Sequence, residues 1–181
     1  PWGTALHGPM KGTALTLIPA SIVPWSTWLA EHTDTTVVDN DLELTGHGVA
    51  KGHDNFVIGV ALQDAATAYY YQLASKLRVI NDRIGEHPVA VFVNPDTRDI
   101  KVYLRVPGAT PLDDSAPTEL LFEMDDAGRI IDAETASVWD IALGVATEGP
   151  LKGSVLQQIP YVSSFDWAWL DFFPHSAFYE E

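Results

Sequence analysis

Gly149-Pro150-Leu151-Lys152-Gly153-Ser154, running on through Leu156, Ile159-Pro160 and Trp169-Leu170, decides how the chain is built. The same phrase stands near the start as Gly8-Pro9-Met10-Lys11-Gly12-Thr13, followed by Leu15, Ile18-Pro19 and Trp28-Leu29. At a constant offset of 141, the separation of Gly8 from Gly149, the two segments match without a gap from Gly8/Gly149 to Leu29/Leu170. A Trp-x-x-Ala-Leu lead-in, Trp2 to Leu6 and Trp139 to Leu143, precedes both copies. An internal repeat of this kind governs the fold. It predicts a strand–aromatic helix–strand segment at 1–38 that superposes on 138–179. Residues 1–38 are then the C-terminal segment of a first repeat, 39–54 a connector loop and 55–181 a complete second repeat.

Each copy carries the same local signals. Thr13 to Pro19 reads as a short strand that Pro19 stops. Pro24 fits the first turn of a helix, and Trp25, Trp28 and Leu29 make one apolar stripe at i, i+3 and i+4. Phe165 to Phe173 is the second aromatic helix, with Ala177 to Tyr179 a last strand that matches the β-prone Thr35 to Val38. Both Gly-Pro-x-Lys-Gly phrases read as tight turns that aim the strand after them. The proline removes a backbone donor and a strand, not a helix, follows, so neither phrase is a phosphate loop.

The rest of the chain is strands and turns. Val57 to Leu62 and Thr67 to Tyr71 form a hairpin about Gln63-Asp64, and Leu73 to Ile80 is a short helix or irregular crossover. Asn81 to Gly85 has turn chemistry. Pro88 to Val93 is a buried strand, and Ile100 to Val106 alternates as a half-exposed strand should. Glu119 to Met124 and Arg129 to Asp132 pair across Asp125 to Gly128. Short strands with frequent turn signals and only brief helices define a mainly β chain, of antiparallel sheets or a partly closed barrel.

Composition narrows what the protein can do. The 181 residues carry 25 acidic and 10 basic side chains, a formal net charge of −15. Such a charge repels phosphate backbones and anionic membranes, which disfavours nucleic-acid binding. No run of about 18 apolar residues is present, so no membrane insertion by a helix is expected. Absence of cysteine removes disulfides, thiolate catalysis and thiolate metal sites. Six Trp, five of them in or beside the two copies, read as packing, or as a ligand platform at Trp167 and Trp169.

At Val57-Ile58-Gly59-Val60, Val79 to Gly85, Pro88-Val89-Ala90-Val91 and the closing Gly-Pro-Leu-Lys-Gly phrase, the sequence resembles the DUF3179 family of uncharacterised proteins. The resemblance implies two related halves in tandem and an extracytoplasmic setting. In the family's first half, a Trp-His pair and a Cys-Pro-Leu-Cys-Gly motif stand where this chain has Lys76-Leu77 and Asn94-Pro95-Asp96-Thr97-Arg98. Hard oxygen and amide groups here replace soft thiol ligands, which suits a hard cation but no thiolate site.

Candidate site residues follow from these patterns. Asn81 and Asp82 can position a ligand or bind a cation together with Asp96 and Asp99; the structural alternative is a turn held by Asx hydrogen bonds. His47, His53 and Asp54 in the connector are the candidate metal ligands, although their spacing matches no common zinc signature. Neither Gly-x-Ser-x-Gly nor a phosphate-loop motif occurs, and no catalytic residue is assigned. The expectation is a non-catalytic structural or interaction module with no cofactor, partnered by a first half or sister subunit. Its rival is a metal-dependent enzyme or metal- or small-ligand-binding protein with its site between the halves.

Overall fold

The computed structural model describes residues 3–16, 18–20, 24–37, 54–108 and 119–181. His47 and His53 of the connector lie outside the described residues. In chain order the elements are α1 (Trp25–Glu31), β1 (Phe56–Leu62), β2 (Ala65–Tyr70), α2 (Tyr71–Leu77), β3 (Val79–Ile84), β4 (His87–Val93) and β5 (Ile100–Gly108). They continue with β6 (Phe122–Met124), β7 (Ile130–Asp132), β8 (Val138–Asp140), β9 (Val145–Glu148), β10 (Val155–Gln158), β11 (Val162–Phe165), α3 (Asp166–Phe172) and β12 (Ala177–Phe178).

Two sheets organise these elements. One has the order β11-β1-β2-β12, antiparallel except for the β12–β2 pair. The other runs β3-β4-β5-β10-β9-β8-β7-β6, antiparallel throughout, and curls until it nearly closes as a barrel. Period-two alternation sorts side chains between the faces. From β1, Phe56, Ile58 and Val60 enter a core shared with Val89, Val91, Ile100 and Val102. Val57 faces the other way, with Ala68, against Trp169 of α3. From β4 and β5, Ala90, Phe92 and Tyr103 enter the barrel interior with Phe122, Trp139, Leu151 and Leu156. The continuous apolar run Val89 to Val93 is therefore a strand buried on both faces.

Three expectations need correction. Asn81 to Ile84 is not a turn but part of β3, paired in register with Pro88, Val89 and Ala90 and with His87 at its end. The turn sits at Gly85, whose φ of 57° suits glycine. Asx residues prefer turns only while their side chains have nothing better to bond, and here both find cross-strand partners. The β5 strand is buried on both faces from Val102 to Tyr103 and again at Arg105, not half-exposed, because it lies between β4 and β10. Residues 13–16 and 35–37 form no strand; the first makes a single bridge, Thr4 to Ala14. A lone segment gains nothing from extended backbone without a neighbouring ladder.

Local geometry nevertheless recurs at the 141-residue offset. The amide of Gly12 donates to Ala5 O at 2.8 Å, and that of Gly153 to Ala146 O at 2.8 Å. Leu15 N donates to Gly3 O, and Leu156 N to Gly144 O. Gly8 and Gly149 share φ values of 83° and 88°, Gly12 and Gly153 values of 86° and 90°. The helices α1 and α3 begin and end at matching positions, and each closes with an amide bond from His32 or Phe173 back to Trp28 or Trp169 at 2.9 Å.

Candidate functional site

Strand β3 carries Asn81 and Asp82, and both are engaged in holding the fold. The Asn81 carboxamide donates to Phe122 O at 2.8 Å and accepts from Phe122 N at 2.9 Å. One side chain thus mimics a peptide group and joins β3 to β6, the two end strands of the barrel sheet. The Asp82 carboxylate accepts the Tyr69 hydroxyl at 2.8 Å, tying the barrel to the smaller sheet. Burial first, and then the Asp82 charge, push the Tyr69 phenol far above its ordinary range.

Beside them lies a residue that the sequence patterns did not single out. Arg105 is buried, and its guanidinium donates to Val89 O at 2.9 Å, Leu120 O at 2.6 Å and Asp82 O at 3.2 Å. It also pairs with Glu119 at 2.8 Å, and Glu119 in turn binds Arg83. Partial burial raises the Glu119 carboxyl, but the bonds and charges of Arg83 and Arg105 outweigh that and hold it below the usual range. A buried cation so fully satisfied is structural. The available signal was its phase: Arg105 falls on the same strand face as the barrel-core Tyr103.

Asp96 belongs to a different place. The β4–β5 connection turns on Asn94, whose Oδ1 accepts from the amides of Asp96 and Thr97 at 3.0 and 3.2 Å. Together with the ends of β7 and β8 this turn bounds a cavity of about 270 Å³. Phe92, Ile130 and Ile141 line it together with the charged Arg78, Asp96 and Lys101. Asp99 reaches Lys101 Nζ at 3.7 Å through one carboxylate oxygen, while Oδ1 is buried without a hydrogen-bond partner. Arg78, which lines the cavity, and Arg98, next to Asp99 in the chain, have positive φ values of 65° and 60°. Mixed charge beside apolar side chains suits a small amphipathic ligand. Asp96 and Asp99 are grouped by sequence, whereas Arg78 joins them only through the fold.

The aromatic candidates separate. Trp169 is 2% exposed and lies flat on Gly59 of β1, where any Cβ would overlap the indole. Its Nε1 donates to Ser176 Oγ at 2.7 Å and its ring stacks on Phe173 at 4.2 Å. Trp167 is exposed and stacks parallel to Phe165. In the N-terminal segment, Trp28 Nε1 donates to Thr35 Oγ1 at 2.7 Å and its ring stacks on His32 at 3.8 Å, but the indole is 37% exposed.

Asp54, the one described member of the connector trio, accepts a bond from the Gln72 amide. Among the described residues no group of three His, Asp or Glu is placed to hold a metal ion. No described helix is long and apolar enough to cross a membrane.

Fold and site thus define a mainly β protein: a nearly closed eight-stranded barrel beside a four-stranded sheet capped by an aromatic helix. The chain belongs to the DUF3179 family, a protein family of unknown function, which it matches over residues 49–176. Neither a curated protein nor a solved structure matches it.

Proposed function

We propose that this chain is a non-catalytic structural or interaction module of a tandem-repeat protein, which engages a sister half or subunit in a larger extracytoplasmic assembly. The observation that carries this is the row of large apolar side chains exposed along the N-terminal segment: Leu6, Met10, Leu15, Ile18, Trp25 and Trp28. So much apolar surface on one short segment is the mark of an interface. The extracytoplasmic setting comes from the family resemblance. A polarity-sensitive dye titrated into the purified chain tests the interface. Bright fluorescence that falls in a Met10→Ser/Leu15→Ser/Ile18→Ser variant, with unchanged melting, supports it. Equal, weak dye binding by both proteins overturns it, as does turnover of any substrate.

A second function, small-ligand binding, is favoured by the cavity beside the β4–β5 turn, where Arg78, Asp96 and Lys101 stand with Phe92, Ile130 and Ile141. Native mass spectrometry of the purified protein separates the two. A co-purified small molecule that Asp96→Ala releases would favour the cavity over the module.

A further inference from the structure

We infer that the surface which covers the N-terminal segment is another body of this same fold, presenting a β1-like strand with a glycine beneath Trp28. This rests on the module function above and names its partner. The chain holds its own template for the contact. Among the described residues, 144–176 repeat the backbone and indole hydrogen bonds of 3–35, and in that copy the seat is present.

The two copies differ in what is covered, and the differences are confined to one side. Leu151, Leu156 and Ile159 are buried; their counterparts Met10, Leu15 and Ile18 are exposed. Trp169 is buried on Gly59, whereas Trp28 is exposed. Leu170 and Leu29, by contrast, are equally open at 37% and 39% exposed. The helix face that looks to solvent in one copy therefore looks to solvent in the other. Only the face that α3 turns to the sheet is uncovered on α1.

That uncovered face is already set for its seat. The Thr35 hydroxyl and the His32 ring fix the Trp28 indole as Ser176 and Phe173 fix Trp169. A large ring immobilised before contact loses little rotamer freedom on docking. A flat indole needs a flat floor, and Gly59 supplies one because nothing projects between the flanking side chains. Sequence differences refine the partner. Tyr70 of β2 donates to Asp166 at 3.2 Å, but the matching residue on α1 is Trp25, which has no acceptor. The partner body thus presents an apolar group there in place of a tyrosine hydroxyl.

The test exchanges the copies within the full chain. Residues 149–176 are replaced by the sequence of 8–35 with Asp166 kept for Tyr70, and in a milder variant 149–160 by that of 8–19. Folding is read by near-ultraviolet circular dichroism and by exchange of the indole N–H at position 169. We expect both chains to fold, with that proton protected to within about tenfold of the natural chain. If both variants are soluble but molten, with the indole open to exchange, the two segments need different seats and the inference falls. Should the variants fail while the dye still reports an exposed face on the natural chain, the module survives and only its partner is misassigned.

Discussion

Asn81 closes the seam of the barrel onto the backbone of Phe122 through paired bonds of 2.8 and 2.9 Å. No backbone ladder joins β3 to β6, so this carboxamide stands in for one. Asn81→Leu leaves the Phe122 N–H and C=O both unpartnered, at a cost of about 2–3 kcal/mol. Asn81→Asp keeps an acceptor and loses the donor, so it should fall between. Urea unfolding of the three chains checks the order.

Trp28 and Trp169 have the same local bonds and opposite surroundings. Trp169→Ala should cost about 3–5 kcal/mol, as removal of a buried indole does. In the same 181-residue chain Trp28→Ala should change stability by no more than about 1 kcal/mol. Gly59→Ala drives a methyl into the indole and should destabilise by about 1–3 kcal/mol. Comparable losses at Trp28 and Trp169 would mean that the N-terminal segment is covered in solution.

Arg105 binds three carbonyls and a carboxylate from one buried guanidinium. Arg105→Lys keeps the charge but lacks the planar fork that spans Val89, Leu120 and Asp82. It should be destabilised nearly as much as Arg105→Met, by about 3 kcal/mol or more. A lysine variant as stable as the natural chain would show that charge alone matters.

Stability should fall at both ends of the pH scale, for separable reasons. The Glu119 carboxyl is held below its ordinary value, so its contribution is present above about pH 4.3 and is lost as pH drops through the folded value. Glu119→Gln should flatten that acid limb of a urea-midpoint profile. Burial, followed by the charges of Asp99 and Asp140, pushes the Tyr103 phenol up to about 12. Its contribution is full below about pH 10 and is lost as pH rises through the folded value. Phenolate absorbance should show Tyr69 and Tyr103 silent near pH 10 while the chain is folded, and visible once it unfolds.

Much of the fold was legible in particular residues. The apolar runs Val57 to Leu62 and Pro88 to Val93 announced buried strands, and the Trp25, Trp28 and Leu29 stripe with the aromatic run Phe165 to Phe173 announced both helices. Asn81 and Asp82 misled because their turn preference is local, whereas the Phe122 backbone and Tyr69 hydroxyl that hold them in a strand come from elsewhere in the fold. Of the cavity, the turn at Asn94, Pro95 and Asp96 was legible in the sequence, together with Asp99. Arg78, Ile130 and Ile141 come from distant parts of the chain and meet that turn only after the barrel has packed.

By itself the sequence determined the tight glycine turns, the aromatic helices and the indole–hydroxyl bonds, in two places 141 residues apart. Those features depend on hydrogen bonds between residues at most about a dozen apart, which form wherever the local residues recur. Only the tertiary structure decided that Trp169 is buried and Trp28 is not, and that Asn81 closes a barrel. Burial requires a facing surface, and residues distant in the chain supply it to one copy alone.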